Sequence, residues 1–458
     1  MSRHRMSNAL KRLYGGTRKF GPPYDYRGAK RWTILQLAIL PLMLFAVASP
    51  PACAATSDAS PPDAWPVARG TASGCGVAGG TLPDQPQLLW TFTAENQGFQ
   101  AGAVIEEGRV YVGSTSGTLY CIDLATGRKR WESAGKSIYK TVPAAGDGRV
   151  FLGDQDGEFA CFDAKSGRVL WKHEADGPID SPASFHGDCV LFGSEDSFEY
   201  CLNAASGKLV WKFDMEDQVR CLATISGNRG YFATCGAMLY TIDLDQGVAL
   251  GKAPIDAPTG CAAALAKDRV FVGNEDNQFL AVDLAKGAIA WRYQDRGRPM
   301  PYRSSAAVTA DGVYVGSRDK KLYAFEPQTG RRLWEFSTQG MIDSSPVVVG
   351  DRVFFGSQDG RIYGLDRKSG KEVWRYDAGG KIVASPAVAG GRLVIGSDSG
   401  RLYCFGAGVD QGTAPGMVAP GEHWSANTWS VAALVLLVLI VLAVLAACRV
   451  GRVKRVPP

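Results

Sequence analysis

A short pattern, Asp-x-x-x-Gly-x-x-x-Trp, recurs along this chain of 458 residues at a step of about 40 residues. Most copies match it in full; two replace the Asp by Asn or Glu, and one keeps the Asp and the Gly but lacks the Trp. The copies begin at Asp123, Asp163, Asn203, Asp243, Asp283, Glu326 and Asp366. A constant period of about 40–45 residues with strand-like content predicts a β-propeller in which each repeat forms one four-stranded blade.

The number of blades follows from where the units begin and end. Complete units begin near Gln100, Lys140, Asp180, Arg220, Gly260, Arg303 and Asp343. An eighth begins near Ala384 but ends after three strands, at residues 401–406, and a strand-like stretch at 86–92 precedes the first unit. The chain is therefore predicted to be an all-β, eight-bladed β-propeller over residues 86–406, closed by its N-terminal strand. Such closure removes an open sheet edge that would otherwise aggregate.

The repeated tryptophans are predicted to wedge each blade against the next. They occupy one repeat position on the fourth strand, at Trp90, Trp131, Trp171, Trp211, Trp291, Trp334 and Trp374. Burying a Trp side chain removes about 150–250 Å² from water, which gives each blade a large apolar contact. A ligand platform would need these rings to converge on one place, whereas one ring per blade disperses them. The fourth blade, which has Gly251 at this position, is either a tolerated weak blade or a contact site.

Charge and cysteine usage limit the possible functions. The formal charge of +5 comes from a basic N-terminal segment, residues 1–31, and a basic tail, residues 449–458, so the region between them is mildly acidic. An acidic body argues against nucleic-acid binding, which requires a basic patch. Four cysteines share one small repeat position and are predicted to be packing thiols: Cys121, Cys161, Cys201 and Cys404. Cys221 and Cys261 share another position, and a disulfide between them stays open because spacing does not give geometry.

Two apolar stretches predict contact with a membrane. Residues 32–54 follow the basic segment and contain small-x-small sites, which favours a cleaved export signal, with an uncleaved signal anchor as the alternative. Residues 428–448 are uncharged and long enough for a transmembrane helix. Because the basic tail follows at once, the positive-inside rule predicts a cytoplasmic tail and an extracytoplasmic, periplasmic propeller. Segments rich in Pro, Gly and Ser are predicted to be linkers, at 55–85 and 407–427.

The repeat resembles that of the PQQ-binding-like β-propeller family. The pattern at residues 313–334, VYVGSRDKKLYAFEPQTGRRLW, is similar to the family repeat, and the resemblance covers about residues 86–406. Residues 65–70, WPVARG, also resemble the lead-in of exported bacterial members. The resemblance implies one of two branches. Quinoprotein dehydrogenases hold PQQ and Ca²⁺ on the propeller axis, whereas BamB-like propellers are non-catalytic and bind protein partners.

The sequence favours the non-catalytic branch. The dehydrogenases that the resemblance implies often carry an adjacent Cys-Cys pair, which this sequence lacks. Ca²⁺ needs about 6–8 oxygen ligands, and the Asp residues here are accounted for by hairpin turns. We therefore predict no catalytic residue, no cofactor-binding residue and no metal ligand. The predicted function is a membrane-anchored, non-catalytic scaffold for envelope protein partners. The alternatives are a PQQ-dependent dehydrogenase and the ligand-binding or sensor exterior of a membrane protein.

The residues just before each first strand vary in charge and are predicted to ring one mouth of the central channel. These eight mouth residues are Gln100, Lys140, Asp180, Arg220, Gly260, Arg303, Asp343 and Ala384. Loops on a rigid scaffold are where binding usually occurs. The longest such loop, residues 294–305, contains Arg and Tyr residues of the kind enriched at protein interfaces. The candidate partner-binding residues are Lys140, Asp180, Arg220, Arg296, Arg298, Tyr302, Arg303 and Asp343. The alternative is a solvated mouth with ordinary surface charge.

Overall fold

The computed structural model describes residues 59–408, apart from Pro62 and Arg298. The predicted basic segment (1–31), export signal or anchor (32–54), transmembrane helix (428–448) and basic tail (449–458) lie outside the described residues, as does nearly all of the linker at 407–427. Within the part that is described, no helix is long and apolar enough to cross a membrane.

The described residues form strands that assemble into eight blades of four strands each, and two short strands from the beginning of the described chain extend one of these sheets to six strands. Before the first blade come two short strands, β1 (Ala59–Ser60) and β2 (Val77–Ala78), and the longer β3 (Gln87–Thr93), which is the fourth strand of blade eight. Blade one consists of β4 (Val104–Glu106), β5 (Arg109–Gly113), β6 (Thr118–Asp123) and β7 (Lys129–Ala134), and blade two of β8 (Ala144–Gly146), β9 (Arg149–Gly153), β10 (Glu158–Asp163) and β11 (Val169–Glu174). Blade three consists of β12 (Ser184–His186), β13 (Cys189–Gly193), β14 (Phe198–Asn203) and β15 (Leu209–Asp214), and blade four of β16 (Thr224–Ser226), β17 (Arg229–Ala233), β18 (Met238–Asp243) and β19 (Val248–Pro254).

Blades five to eight continue the same order. Their strands are β20 (Ala264–Ala266), β21 (Arg269–Gly273), β22 (Gln278–Asp283), β23 (Ala288–Gln294); β24 (Ala307–Val308), β25 (Val313–Gly316), β26 (Lys321–Phe325), β27 (Arg332–Ser337); β28 (Val347–Val349), β29 (Arg352–Gly356), β30 (Arg361–Asp366), β31 (Glu372–Asp377); and β32 (Ala387–Ala389), β33 (Arg392–Gly396), β34 (Arg401–Gly406). The prediction of an all-β, eight-bladed propeller is confirmed.

Each blade is an antiparallel sheet that is buried from its first strand to its third and half exposed at its fourth. The second strands are buried along nearly their whole length, for example β9, whereas fourth strands such as β11 alternate between exposed and partly buried residues. Strands pressed between neighbouring sheets are covered on both faces, so they are continuously apolar. The core therefore lies between the blades rather than at a single centre.

The ring is closed by the N-terminal strand, as predicted. Strand β3 pairs antiparallel with β34, and Trp90 lies opposite Cys404 in that pairing. The fourth strand of blade eight thus comes from the beginning of the propeller, and this pairing removes the free edge of β34.

The segment at residues 65–78, which we call the channel segment, differs from the prediction of a linker over 55–85. Its backbone bonds in order to the first strands of blades one, two, four, five, six and seven. The bonds join Trp65 and Ile105 in both directions, Ala145 N to Pro66 O, Ile225 N to Ala72 O, Leu265 N to Ser73 O, Val308 N to Cys75 O and Val348 N to Gly76 O. Strand β2 then pairs parallel with β28. The segment therefore winds inside the ring of first strands.

The composition of the channel segment fits this position. The first strand of each blade presents a free edge toward the axis, and its N–H and C=O groups need partners. A segment that approaches the first-strand edges of several blades requires small residues and turns with positive φ angles. Gly74 and Gly76 have such angles, 63° and 66°. Without hydrophobic periodicity such a stretch has the composition of a linker, yet Trp65, Val67 and Ala68 are buried.

Candidate binding site at the channel mouth

The repeat brings seven of the eight predicted mouth residues around one cavity. In seven of the eight blades an apolar residue packs beneath the glycine that ends the second strand, whereas the second strand of blade four ends at Ala233. Tyr139, for example, lies so close to Gly113 that a Cβ built on that glycine would be 2.7 Å from the Tyr139 side chain. Because side chains alternate, the next residue is turned toward the mouth. The mouth residues that line the cavity are Gln100, Lys140, Asp180, Arg220, Gly260, Arg303 and Asp343. In blade eight Val383 takes this place, whereas Ala384, which we predicted there, is buried.

The cavity has a narrow inner part and a wider outer part. The inner part, of about 220 Å³, is lined by the seven mouth residues and by Trp65, Ala68 and Arg69 of the channel segment. The outer part, of about 550 Å³, shares the mouth residues and adds Cys235, Glu275 and Val383. The channel segment therefore forms part of the wall of a depression that opens at the mouth.

Turns between the second and third strands hold the acidic and basic side chains of the mouth. Arg318 donates two hydrogen bonds of 2.8 Å to the carboxylate of Asp343, and Gln358 donates a third, also of 2.8 Å. Arg303 contacts Glu275 at 3.1 Å. These bonds fix the side chains in place, because a bidentate pair restricts both partners.

The opposite side of the mouth is bonded in the same way. Arg220 contacts Glu195 at 2.9 Å, Lys140 donates to Gln155 at 2.9 Å, and Gln155 donates to Asp180. Burial raises the pKa of Glu195, and the nearby Asp180 carboxylate raises it further, while Arg220 opposes both effects. Lys140 differs from the arginines of the mouth because its hydrogen-bond partner is neutral.

The structure does not bring all predicted binding residues to the mouth. Tyr302 is fully buried, packs with its ring centroid 5.7 Å from that of Phe279, and is a core residue instead of a loop-tip anchor. The repeat explains the difference, because Tyr302 occupies the apolar position beneath the glycine Gly273. Arg296 is exposed but does not line the cavity. Arg298 lies outside the described residues.

Each of the seven repeated tryptophans reaches the next blade, six of them at the turn between its third and fourth strands and Trp374 at the residue before β3. Its indole Nε1–H donates to a backbone carbonyl there at 2.9–3.1 Å; the pairs are Trp90–Leu124, Trp131–Ala164, Trp171–Ala204, Trp211–Leu244, Trp291–Pro327, Trp334–Arg367 and Trp374–Pro86. The glycine of that turn lies against the ring, and a Cβ on Gly167 would be 2.5 Å from Trp131. Only Gly251 breaks the series, and a Cβ on the facing Gly287 meets nothing within 4 Å.

The cysteines near the mouth are thiols in this structure. Cys221 and Cys261 are not joined by a disulfide; their sulfurs bond to the carbonyls of Thr259 at 3.8 Å and Tyr302 at 3.1 Å. The cysteines of the shared repeat position are buried, and burial raises the pKa of Cys121, Cys161 and Cys404 to about 12. Across the described residues no group of three His, Cys, Asp or Glu side chains is placed to hold a metal ion.

Sequence reasoning missed Arg69. Its Nη2 donates to the carbonyls of Ala306 at 2.9 Å and Pro346 at 2.7 Å, and burial lowers its pKa to about 10. The motif WPVARG contains it, but nothing in that motif indicates that the segment enters the channel. Its partners lie more than 200 residues away in the chain, with sequence separations of 237 and 277.

Comparison with known proteins identifies a family. The sequence model described as outer membrane protein assembly factor BamB matches residues 80–197, 194–341 and 318–414. No curated protein matches the sequence significantly. BamB from Moraxella catarrhalis is similar in structure, with 17% identity, 70% of this chain and 98% of that chain covered, and a TM-score of 0.60.

Two other solved structures share the fold. The computationally designed Ika8 protein has 17% identity, with 70% of this chain and 100% of that chain covered and a TM-score of 0.63. The quinohemoprotein alcohol dehydrogenase from Comamonas testosteroni has 14% identity, with 81% and 84% covered and a TM-score of 0.67. At such identities the likeness establishes the fold alone, because one fold hosts many functions.

Proposed function

This chain belongs to the family of the outer membrane protein assembly factor BamB, and on that premise we propose that it is a non-catalytic, protein-binding scaffold of the cell envelope. The predicted resemblance to PQQ-like propellers is thereby confirmed. In the proposal the helix predicted over residues 428–448 anchors the chain in the membrane. The propeller lies on the extracytoplasmic side, and the basic tail 449–458 is in the cytoplasm.

The occupied channel is the observation that carries the proposal. Residues 65–78 bond to the first strands of six blades and fill space on the axis with the protein's own backbone. What stays open is a polar depression whose charged rim side chains are already bonded to side chains of the neighbouring turns. A pre-formed, rigid and polar rim is suited to holding a partner's surface, because little side-chain entropy is lost on binding.

The dehydrogenase alternative fits these residues poorly. It requires PQQ and Ca²⁺ on the propeller axis, where this chain places Trp65, Ala68 and Arg69. The acidic residues nearest that position, Asp180 and Asp343, already accept hydrogen bonds from Gln155 and Arg318. Turnover of alcohols or aldose sugars by the purified protein with PQQ and Ca²⁺, above a heat-killed control, would revive the alternative.

The mouth arginines Arg220 and Arg303 are the proposed anchors of the partner interface. Interface energy usually concentrates in a few Arg, Tyr or Trp residues, and these two side chains are 40% and 48% exposed. Each is held by one carboxylate, from Glu195 and Glu275, so its guanidinium keeps free donors for a partner.

The test is cross-linking and recovery of partners from membranes that carry the full chain. The double variant Arg220→Ala, Arg303→Ala should reduce partner recovery by at least about tenfold, the loss expected from one removed anchor. Arg375→Ala is the matched control, because Arg375 is 46% exposed and also paired with a carboxylate, but lies on an outer strand. Equal recovery from the wild type and the double variant would place the interface elsewhere.

The proposed orientation has its own test. Protease added to intact spheroplasts should digest the propeller and spare a tag placed after Pro458. A protected propeller would reverse the orientation without bearing on the partner interface.

A further inference from the structure

A positive charge without an acidic partner lies inside the propeller. Arg69 is 6% exposed, and among the described residues it forms no ion pair. Its Nη2 bonds to two backbone carbonyls, of Ala306 and Pro346, whereas its Nε and Nη1 are buried with no hydrogen-bond partner in the part of the chain that the structure describes. Buried charged groups are almost always paired, because leaving water without a partner is costly. The Nε and Nη1 groups of Arg69 therefore lack a hydrogen-bond acceptor, and its positive charge lacks an anionic partner, among the described residues.

Arg69 is one of the residues that line the inner part of the mouth cavity, and this lining has an excess of positive charge. The lining contains four cationic side chains, Arg69, Lys140, Arg220 and Arg303, and two anionic ones, Asp180 and Asp343. Asp343 is already paired with Arg318, and Arg220 and Arg303 are paired with glutamates. Arg69 and Lys140 are the two cations of this lining that have only neutral partners in the described structure.

Several hydroxyl groups belong to residues that line the same cavity. The Oγ atoms of Ser305, Ser345 and Ser385 each accept a backbone N–H, from Ala262 at 3.0 Å, Ser305 at 2.9 Å and Ser345 at 3.0 Å. A serine hydroxyl also has one O–H to donate, so each of these residues retains a free donor. The hydroxyl of Thr141, which is 3% exposed, has no partner among the described residues.

We propose that the inner cavity binds a small oxyanion, a carboxylate or a phosphate, with Arg69 compensating its charge and Thr141 and the serine hydroxyls donating to its oxygens. An oxyanion accepts hydrogen bonds without donating any, which matches a wall of donors and unpaired positive charge. The volume of about 220 Å³ suits a ligand of a few heavy atoms and is below the roughly 300–1,000 Å³ of sites for larger ligands.

The test is isothermal titration of the purified full chain with sodium acetate, sodium succinate and sodium phosphate, against sodium chloride at equal ionic strength. At least one oxyanion should bind with saturable heat, while chloride should give none. Comparison of the acetate and succinate titrations with the phosphate titration distinguishes a carboxylate ligand from a phosphate ligand. Absence of saturable binding by all three oxyanions would overturn the proposal.

Variants of the cavity assign the binding to these residues. Thr141→Val should weaken binding by about tenfold, and Arg69→Met by about 10–100-fold, as expected when a hydrogen bond to a charged group is lost. Thr141→Val should leave the melting temperature unchanged, because the hydroxyl it removes has no partner; it therefore decides the question if Arg69→Met does not fold. Thr91→Val, at an exposed position of β3, is the matched control. Wild-type affinity in folded Thr141→Val would overturn the assignment.

Discussion

Two turn glycines with the same backbone conformation but different neighbours allow the blade contact to be measured. Gly167 has a φ of 72°, and a Cβ there would lie 2.5 Å from the ring of Trp131. Gly287 has a φ of 60°, and a Cβ there would meet nothing within 4 Å, because the facing blade has Gly251 in place of Trp. Alanine at either site is strained by the positive φ, by about 1–2 kcal/mol.

Only Gly167→Ala also forces a methyl group into the indole ring. Overpacking of this kind is destabilising by about 1–3 kcal/mol. We therefore expect Gly167→Ala to lower the free energy of unfolding by about 2–5 kcal/mol and Gly287→Ala by about 1–2 kcal/mol. The difference between the two variants measures the steric cost of a methyl group placed against the indole ring.

The assay is equilibrium urea denaturation of the full chain, followed by circular dichroism, with both variants and with Trp131→Ala. In the Trp131→Ala background, Gly167→Ala should be destabilising by only about 1–2 kcal/mol, because the ring is gone and the strain at φ remains. Equal losses for Gly167→Ala and Gly287→Ala, or an unchanged loss without Trp131, would refute the idea that the turn glycine is required by the indole ring.

Three further substitutions test other parts of the fold. Gly251→Trp should raise the free energy of unfolding by about 1 kcal/mol or more in urea denaturation, because its indole would reach the carbonyl of Leu284; no gain would mean that this blade boundary cannot accept the ring. Glu199 is fully buried with no partner for either carboxylate oxygen in the described structure, and burial raises its pKa well above its usual value. The folded protein therefore loses stability as pH rises above about 4.5, by about 1.4 kcal/mol per pH unit until the raised pKa of Glu199 is reached. The gain in the free energy of unfolding from Glu199→Leu should grow over that pH range. A gain that does not change with pH would contradict the prediction. Tyr302→Ala should lower the free energy of unfolding by about 3–5 kcal/mol in the same denaturation assay, because Tyr302 is buried. Arg303→Ala should lower it less, because Arg303 is exposed. A near-wild-type stability of Tyr302→Ala would argue against the burial of Tyr302.

The sequence alone was sufficient for those features that the repeat imposes. Turn glycines, blade tryptophans and the strand that closes blade eight recur with the period of the fold, so their roles can be read from their spacing. The mouth residues were found by the same logic, and the error at Ala384 was a shift of one position. Such a shift matters because neighbouring side chains of an extended segment point in opposite directions, which also explains why Tyr302 is buried while Arg303 is exposed.

The features that do not recur with the blade repeat became visible only in the tertiary structure. The channel segment bonds to six blades, but its glycines and small residues form no pattern that distinguishes it from a linker. Arg69 acquires its buried site only because folding brings it to Ala306 and Pro346, across 237 and 277 residues of sequence. A repeated local pattern determines the blades because each blade packs against its neighbours in the same way. The interior of the ring is a single place where all eight blades converge, and the residues that fill it are selected by that shared space.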